Sequence, residues 1–221
     1  HAAQRTSSAL DRAAVAATGD GRTPDTRSRG EANAAKDPEN LYLWRRNPIR
    51  LEAEVVRDSI LSLAGTLDPT IGGPPVPPGN QENSKRRSLY FFHSNNDRNL
   101  FLTTFDGAGV KECYRRDQSI VPQQAMALTN SKLVLDAASR IAARLSHDGE
   151  SDQHPADDVD FMRRAFLAVL GIAASDSEVL ACKKALETWR RQESQSSGNP
   201  ETSRAHLVWA LLNHNDFVTL R

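Results

Sequence analysis

The sequence predicts a mainly α protein: an irregular helical domain with a C-terminal helical bundle and at most a minor β-hairpin. Three observations carry that expectation. A helical stretch beginning at Arg50 runs into a glycine and proline stop. The C-terminal third holds three segments with helix-start signals and apolar residues at helical spacing. The only strand-like runs are two short aromatic pieces between Ser88 and Phe105.

The stretch from Arg50 to Pro75 organises the chain. At 100° per residue Ala53, Val56, Ile60, Leu63 and Ala64 share one face, Leu51 and Val55 lie roughly opposite, and Arg50, Glu54, Arg57 and Asp58 form a polar row between them. Arg50 and Glu54 form an i,i+4 pair, and Arg57 and Asp58 are the i,i+3 and i,i+4 neighbours of Glu54, so the row is expected to neutralise most of its own charge. Gly65 is expected to end the helix in a left-handed conformation. Pro69, Gly72, Gly73, Pro74 and Pro75 then forbid regular structure.

Composition narrows the function classes. Among 221 residues, 28 Lys and Arg balance 28 Asp and Glu, so no net field draws the chain to nucleic acid or an anionic membrane. The 38% apolar content is low for a wholly folded chain of this length and points to some unstructured sequence. No apolar run approaches the roughly 20 residues that span a bilayer. The first residue, His1, points to a fragment or a processed chain. Cys113 and Cys182 belong to no Cys-x-x-Cys or haem motif, and two buried free thiols is the preferred reading over a bridge.

In chain order, His1–Ala17 reads as the remnant of an upstream element, and Thr18–Asn40, nearly devoid of large apolar residues, as a flexible loop or linker. Leu41–Arg221 then reads as a single mainly helical domain, with Tyr42 and Trp44 marking where the core begins. Ser88–Phe92 and Asn99–Phe105, separated by Ser94-Asn95-Asn96-Asp97, read as a small hairpin or as extended segments lying across helices. Pro122 opens a helix, and Asn130 or Ser131 caps the next, with Val134, Ala138, Ile141 and Leu145 in register. Asp157 and Asp158 can cap a helix that Gly171 ends. Ser175 and Glu178 form a capping box ahead of Val179, Cys182, Leu186 and Trp189, and the last helix carries Leu207, Val208, Trp209, Leu211 and Leu212.

The residues that bear chemistry are few. Acid–base catalysis or oxygen-ligand metal binding needs converging carboxylates; Glu54 and Asp58 share a helix face, while Asp68, Asp106 and Asp216 sit at element ends or in loops. Salt-bridging and capping explain the same residues more simply. None of the six histidines has a partner three or four residues away, so no metal site is expected. Arg115 and Arg116 beside Cys113 would lower its pKa if all three pointed together, and the arginines would equally suit an anionic group. Gly72-Gly73-Pro74 lacks the Gly-Lys-Ser/Thr of a phosphate loop.

Several phrases taken together resemble one family: Arg50–Glu54 with Arg57 and Asp58; Gly65–Pro69 with Gly72-Gly73-Pro74; Arg87–Tyr90; Thr104-Phe105-Asp106; Glu112–Arg116; Ser119–Ala125 with Leu128 and Asn130; and Leu211-Leu212-Asn213 with Asn215-Asp216-Phe217. They are similar to the C-terminal domain of unknown function, number 1553, of large planctomycete surface and cytochrome-c-containing proteins. The resemblance implies a mostly helical domain ending a longer secreted or cell-surface protein, located in the periplasm or at the cell surface. It also implies upstream domains of the same polypeptide as partners, extracellular polysaccharide as a ligand class, and haem only on a separate upstream domain, with no cofactor in this segment. The leading expectation is an accessory or scaffold domain in which Arg50, Glu54, Arg57, Asp58, Asp68, Asp106, Cys113, Arg115, Arg116 and Gln124 meet as one polar cluster. The alternative is that the cluster is a carboxylate-based enzyme site acting on a carbohydrate or other secreted polymer.

Overall fold

A computed structural model describes residues 32–111, 119, 121–147, 157–194 and 200–220. The chain divides into two units, His1–Asn47 and Pro48–Arg221. In the first, residues 32–36 are helical, within the stretch expected as a loop. The nearly buried Asp37 carboxylate then accepts the backbone N–H groups of Leu41 and Tyr42, both at 2.9 Å, and the indole N–H of Trp44 donates to the Asp37 carbonyl at 2.9 Å. Asn40 (φ 56°) donates through its side-chain amide to the Arg45 carbonyl and to Asn47, and Leu43 has φ 53°. These bonds turn Leu41, Tyr42 and Leu43 outward. The hydrophobic core therefore begins at Ala53 and not at the aromatic pair expected to open it.

Among the described residues of the second unit, which are otherwise helix and loop with isolated bridges at Asp68–Arg86 and Val76–Phe91, one two-stranded antiparallel ladder pairs β1 (Ile49–Arg50) with β2 (Thr219–Leu220), and Ile49 faces Leu220. Leu51 N–H extends it to the Val218 carbonyl at 2.8 Å, so the ladder ties the start of this unit to its end. The mainly helical fold class holds, and its β component lies here. The aromatic runs expected as a small hairpin or as extended segments across helices form no hairpin: the first is a 3₁₀ turn, Ser88–Tyr90, followed by extended Phe91 bridged to Val76, and the second is a short helix. That helix, α2 (Leu100–Thr104), begins at Asn99, whose side chain caps the Leu102 N–H at 3.1 Å. An Asn cap and two aromatics four residues apart, with the Phe101 and Phe105 rings 4.9 Å between centroids, favour a helical turn over alternation.

α1 (Ala53–Leu63) buries Ala53, Val56, Arg57, Ile60 and Leu61. It starts three residues later than the sequence pattern suggests, so Arg50 lies in β1. Its end is as expected: Gly65 has φ +67°, Gly65 N–H donates to Ser62 at 2.9 Å, and Thr66 N–H reaches back to Leu61 at 2.9 Å. Arg144, from the later helix Lys132–His147, donates to the Leu63 carbonyl at 2.7 Å, placing a cation on the negative end of the helix.

α3 (Pro122–Asn130), α4 (Lys132–His147), α5 (Asp158–Leu170), α6 (Asp176–Ser194) and α7 (Pro200–Leu212) complete the body. α7 packs along α4 and also against α5 and α6, while α1 rests on α2 and α4. Ile60, Val134, Ile141, Phe161, Met162, Leu186, Val208 and Leu212 form the innermost layer. The expected start signals are present: Pro122 at the first turn of α3, Ser131 Oγ accepting from Val134 N–H at 3.4 Å, and Ser175 N–H bonded to Glu178 at 2.6 Å. Gly171 (φ 68°) ends α5. Cys182 is a half-buried free thiol, its pKa raised by desolvation and then by Glu178. Cys113 lies outside the described residues.

The start of α5 departs from expectation. Asp157 occupies the cap position without a side-chain cap bond, and Asp158 turns to arginines of two other helices. Arg190 of α6 grips both of its oxygens at 2.6 and 2.8 Å, and Arg204 of α7 adds a bond at 2.9 Å. The Arg190 bond leads in holding the Asp158 pKa below the usual carboxylate range, against desolvation. Because the folded value lies below that of the unfolded chain, the stabilisation is complete above about pH 4 and is lost as pH falls through the lowered value.

Two outcomes are expected. Gly65→Ala should lower stability by about 1–2 kcal/mol in urea titrations, since an L side chain resists this φ and the new Cβ would lie 2.9 Å from the Arg144 guanidinium. Asp158→Asn should cost about 1–3 kcal/mol at pH 7. Its deficit should narrow in the same titrations below about pH 4, where the wild-type carboxylate is itself protonated.

Candidate functional site

A helix flanked by irregular backbone leaves many carbonyls that strands would have satisfied, and arginine, with five donors in a planar fork, can serve several at once. Arg57 does so from inside α1. Its guanidinium donates to the carbonyls of Ser84 and Arg86 and to Ser88 Oγ, at 2.5, 3.0 and 3.2 Å, and lies 4.5 Å from the centre of the Phe91 ring. Only 3% of its side chain is exposed. Desolvation lowers its pKa, and Asp58, 3.7 Å away, works in the opposite direction. Asp58 in turn accepts the N–H and the hydroxyl of Ser88, both at 2.8 Å, and meets Arg87 at 3.4 Å.

Arg86 continues the same arrangement into the glycine-proline loop. Its guanidinium donates to the carbonyls of Pro74, at 3.0 Å, and Gly72, and stacks 4.1 Å from the Tyr90 ring centre. The Tyr90 hydroxyl accepts the Gly72 N–H at 3.0 Å. Gly72 and Gly73, with φ of 81° and 87°, supply the left-handed backbone that folds these carbonyls inward. Asp68 closes the base of the loop: its N–H donates to Lys85 at 2.8 Å and its carboxylate accepts the N–H and hydroxyl of Thr70. Those two Thr70 bonds, the hydroxyl first, lower its pKa.

A second network joins β1 to α3. Arg50 donates to the Ser119 carbonyl at 2.7 Å and to Gln124 Oε1 at 2.6 Å. Gln124, 5% exposed, donates through Nε2 to Asp106 at 3.3 Å and to the Ser119 carbonyl at 3.2 Å. Asp106, held at φ 59° after α2, accepts the N–H and hydroxyl of Ser119 at 2.8 and 2.6 Å. Arg50 is thus joined to Gln124, 74 residues away, in place of the expected pairing with Glu54.

Among the described members of the expected cluster, the structure gathers Arg57, Asp58 and Asp68 around Arg86, and Arg50, Asp106 and Gln124 around Ser119. No described hydrogen bond joins them. Glu54 lines an open cleft of about 810 Å³ beside α1, with Asp58, Val55, Leu89, His93 and Val110. Cys113, Arg115 and Arg116 lie outside the described residues. Arg86, Ser88 and Ser119 were not singled out by sequence reasoning. The signal for Arg86 was the Lys85-Arg86-Arg87 cluster, and the one for Ser119 was its place in a family-like phrase. Among the described residues no three His, Cys, Asp or Glu side chains are placed to hold a metal ion, and no helix is long and apolar enough to cross a membrane.

The model of a family described as "Protein of unknown function (DUF1553)" matches residues 23–186. The chain belongs to this family. The matched DUF1553 stretch contains both networks and ends within α6, yet α7 beyond it fills the same core through Val208 and Leu212. No curated protein and no solved structure matches the chain.

Arg57→Lys should lower unfolding stability by about 1–3 kcal/mol in urea titration, because an ammonium cannot reproduce the fork that serves three acceptors and a ring face.

Proposed function

We propose that this DUF1553 chain is an accessory or scaffold domain of an exported multidomain protein of the planctomycete type, in which cytochrome c domains accompany it. In this reading it works in the periplasm or at the cell surface, against upstream domains of the same polypeptide and near extracellular polysaccharide. The observation that supports it is the use made of the polar side chains. Arg50, Arg57, Asp58, Asp68, Asp106 and Gln124 hydrogen-bond to the domain's own loops, turns and neighbouring side chains. Groups spent on holding backbone are poor material for acid–base turnover, which needs donors and acceptors aimed at a substrate.

The cleft beside α1 favours a second reading. Glu54 and Asp58, one helical turn apart, both line it, and paired carboxylates in a cleft suit hydrolysis of a carbohydrate or other secreted polymer. Two substitutions in the full-length protein separate the readings. As a scaffold, the protein should unfold several degrees lower with Asp106→Asn, while Glu54→Ala leaves any polymer-degrading turnover unchanged. Loss of turnover in Glu54→Ala at an unaltered unfolding midpoint would reject the scaffold in favour of the enzyme.

A further inference from the structure

Proline lacks an N–H and has a fixed φ, and it holds the residue before it extended, so a run of prolines takes the polyproline II form. That form repeats about every three residues and makes no internal hydrogen bonds, so its side chains fall along three edges. Pro74-Pro75-Val76-Pro77-Pro78 holds four of the chain's 11 prolines. A bend over residues 72–74 leads into the run and the 3₁₀ turn Pro78–Asn80 leads out. Pro77 has φ −66° and ψ 153°, the polyproline II geometry.

The middle residue fixes the run to the protein. Val76 is 9% exposed, its N–H donates to the Tyr90 carbonyl at 2.7 Å, and its carbonyl accepts the Phe92 N–H at 2.9 Å. Gln81, 2% exposed, closes this attachment by donating through Nε2 to the carbonyls of Val76 at 3.3 Å and Phe92 at 2.9 Å. One edge is thus turned inward, while the four prolines around Val76 are all exposed. Residues three apart share an edge in this form, so Pro74 with Pro77, and Pro75 with Pro78, supply the two outward edges. Arg86 holds the Pro74 carbonyl at 3.0 Å, whereas no hydrogen bond among the described residues uses the Pro75 carbonyl.

A groove can meet two edges of a three-edged rod at once, and the third must then face away from it. We propose that Pro74–Pro78 is a docking ridge for a partner domain that carries an aromatic-lined polyproline groove. The dipeptides Pro74-Pro75 and Pro77-Pro78 would lie against its aromatic faces as rigid apolar steps, and the Pro75 carbonyl would accept a hydrogen bond from a tryptophan or tyrosine of its wall. The ridge is ordered before binding, so association loses little conformational entropy. The proposal stands apart from the scaffold and enzyme readings and requires neither export nor the cleft beside α1.

Fluorescence anisotropy of the labelled intact chain, titrated with an array of purified SH3 and WW domains to about 1 mM, tests it. At least one domain should bind, and Pro75→Ala and Pro77→Ala should each weaken that binding about tenfold. A free proline-rich peptide that fills the same groove should displace the chain, which places the contact on the groove whether or not an alanine loosens the ridge. Absence of binding across the array, binding that the peptide leaves intact, or binding that keeps its strength in both variants would each overturn the proposal.

Discussion

The structure depends on a guanidinium taken out of water in the middle of α1. Arg57 replaces its lost hydration with two carbonyls, one hydroxyl and an aromatic face, all from Ser84 to Phe91. Burying a cation is unfavourable unless such partners are present, so α1 and the segment from Ser84 to Phe91 must adopt this arrangement together. Arginine suits the position because its planar fork serves several acceptors at once and its face stacks on an aromatic ring.

The same solution recurs at three other irregular places among the described residues. Arg86 gathers carbonyls of the glycine-proline loop, Arg50 holds Ser119, and Arg144 holds the last carbonyls of α1. Each is a cation placed where backbone acceptors lack a strand or helix to satisfy them. A balanced composition of acids and bases can accordingly reflect an internal frame of charged ties rather than a surface adjusted to a charged partner.

What could be read from the sequence was local. Gly65 and Gly171 as left-handed helix ends, Pro122 at a first turn and the Ser175–Glu178 box follow from a few adjacent residues, and all are present. Ties across long separations left no such trace. Nothing near Asp158 indicates that it would turn from its own helix end to Arg190 and Arg204, 32 and 46 residues onward. The polar row of α1 was visible as a row, but its partners were not, because periodicity says which face a residue occupies and not what lies opposite. The aromatic runs misled for a related reason: Phe, Tyr and Leu suit strands by composition, whereas an Asn cap and i, i+4 ring packing decided for a helical turn.

A domain so occupied with fixing its own loops is well made to present surfaces at constant geometry, which is what the proposed accessory role asks of the buried arginine. Hydrogen–deuterium exchange of Arg57→Met measures the central tie most directly, since methionine keeps much of the packing and removes the fork. Amides of residues 84–91 should exchange markedly faster while those of α4 and α7 keep their wild-type rates. Unchanged protection across 84–91, or an equal loss throughout the helical body, would contradict the account.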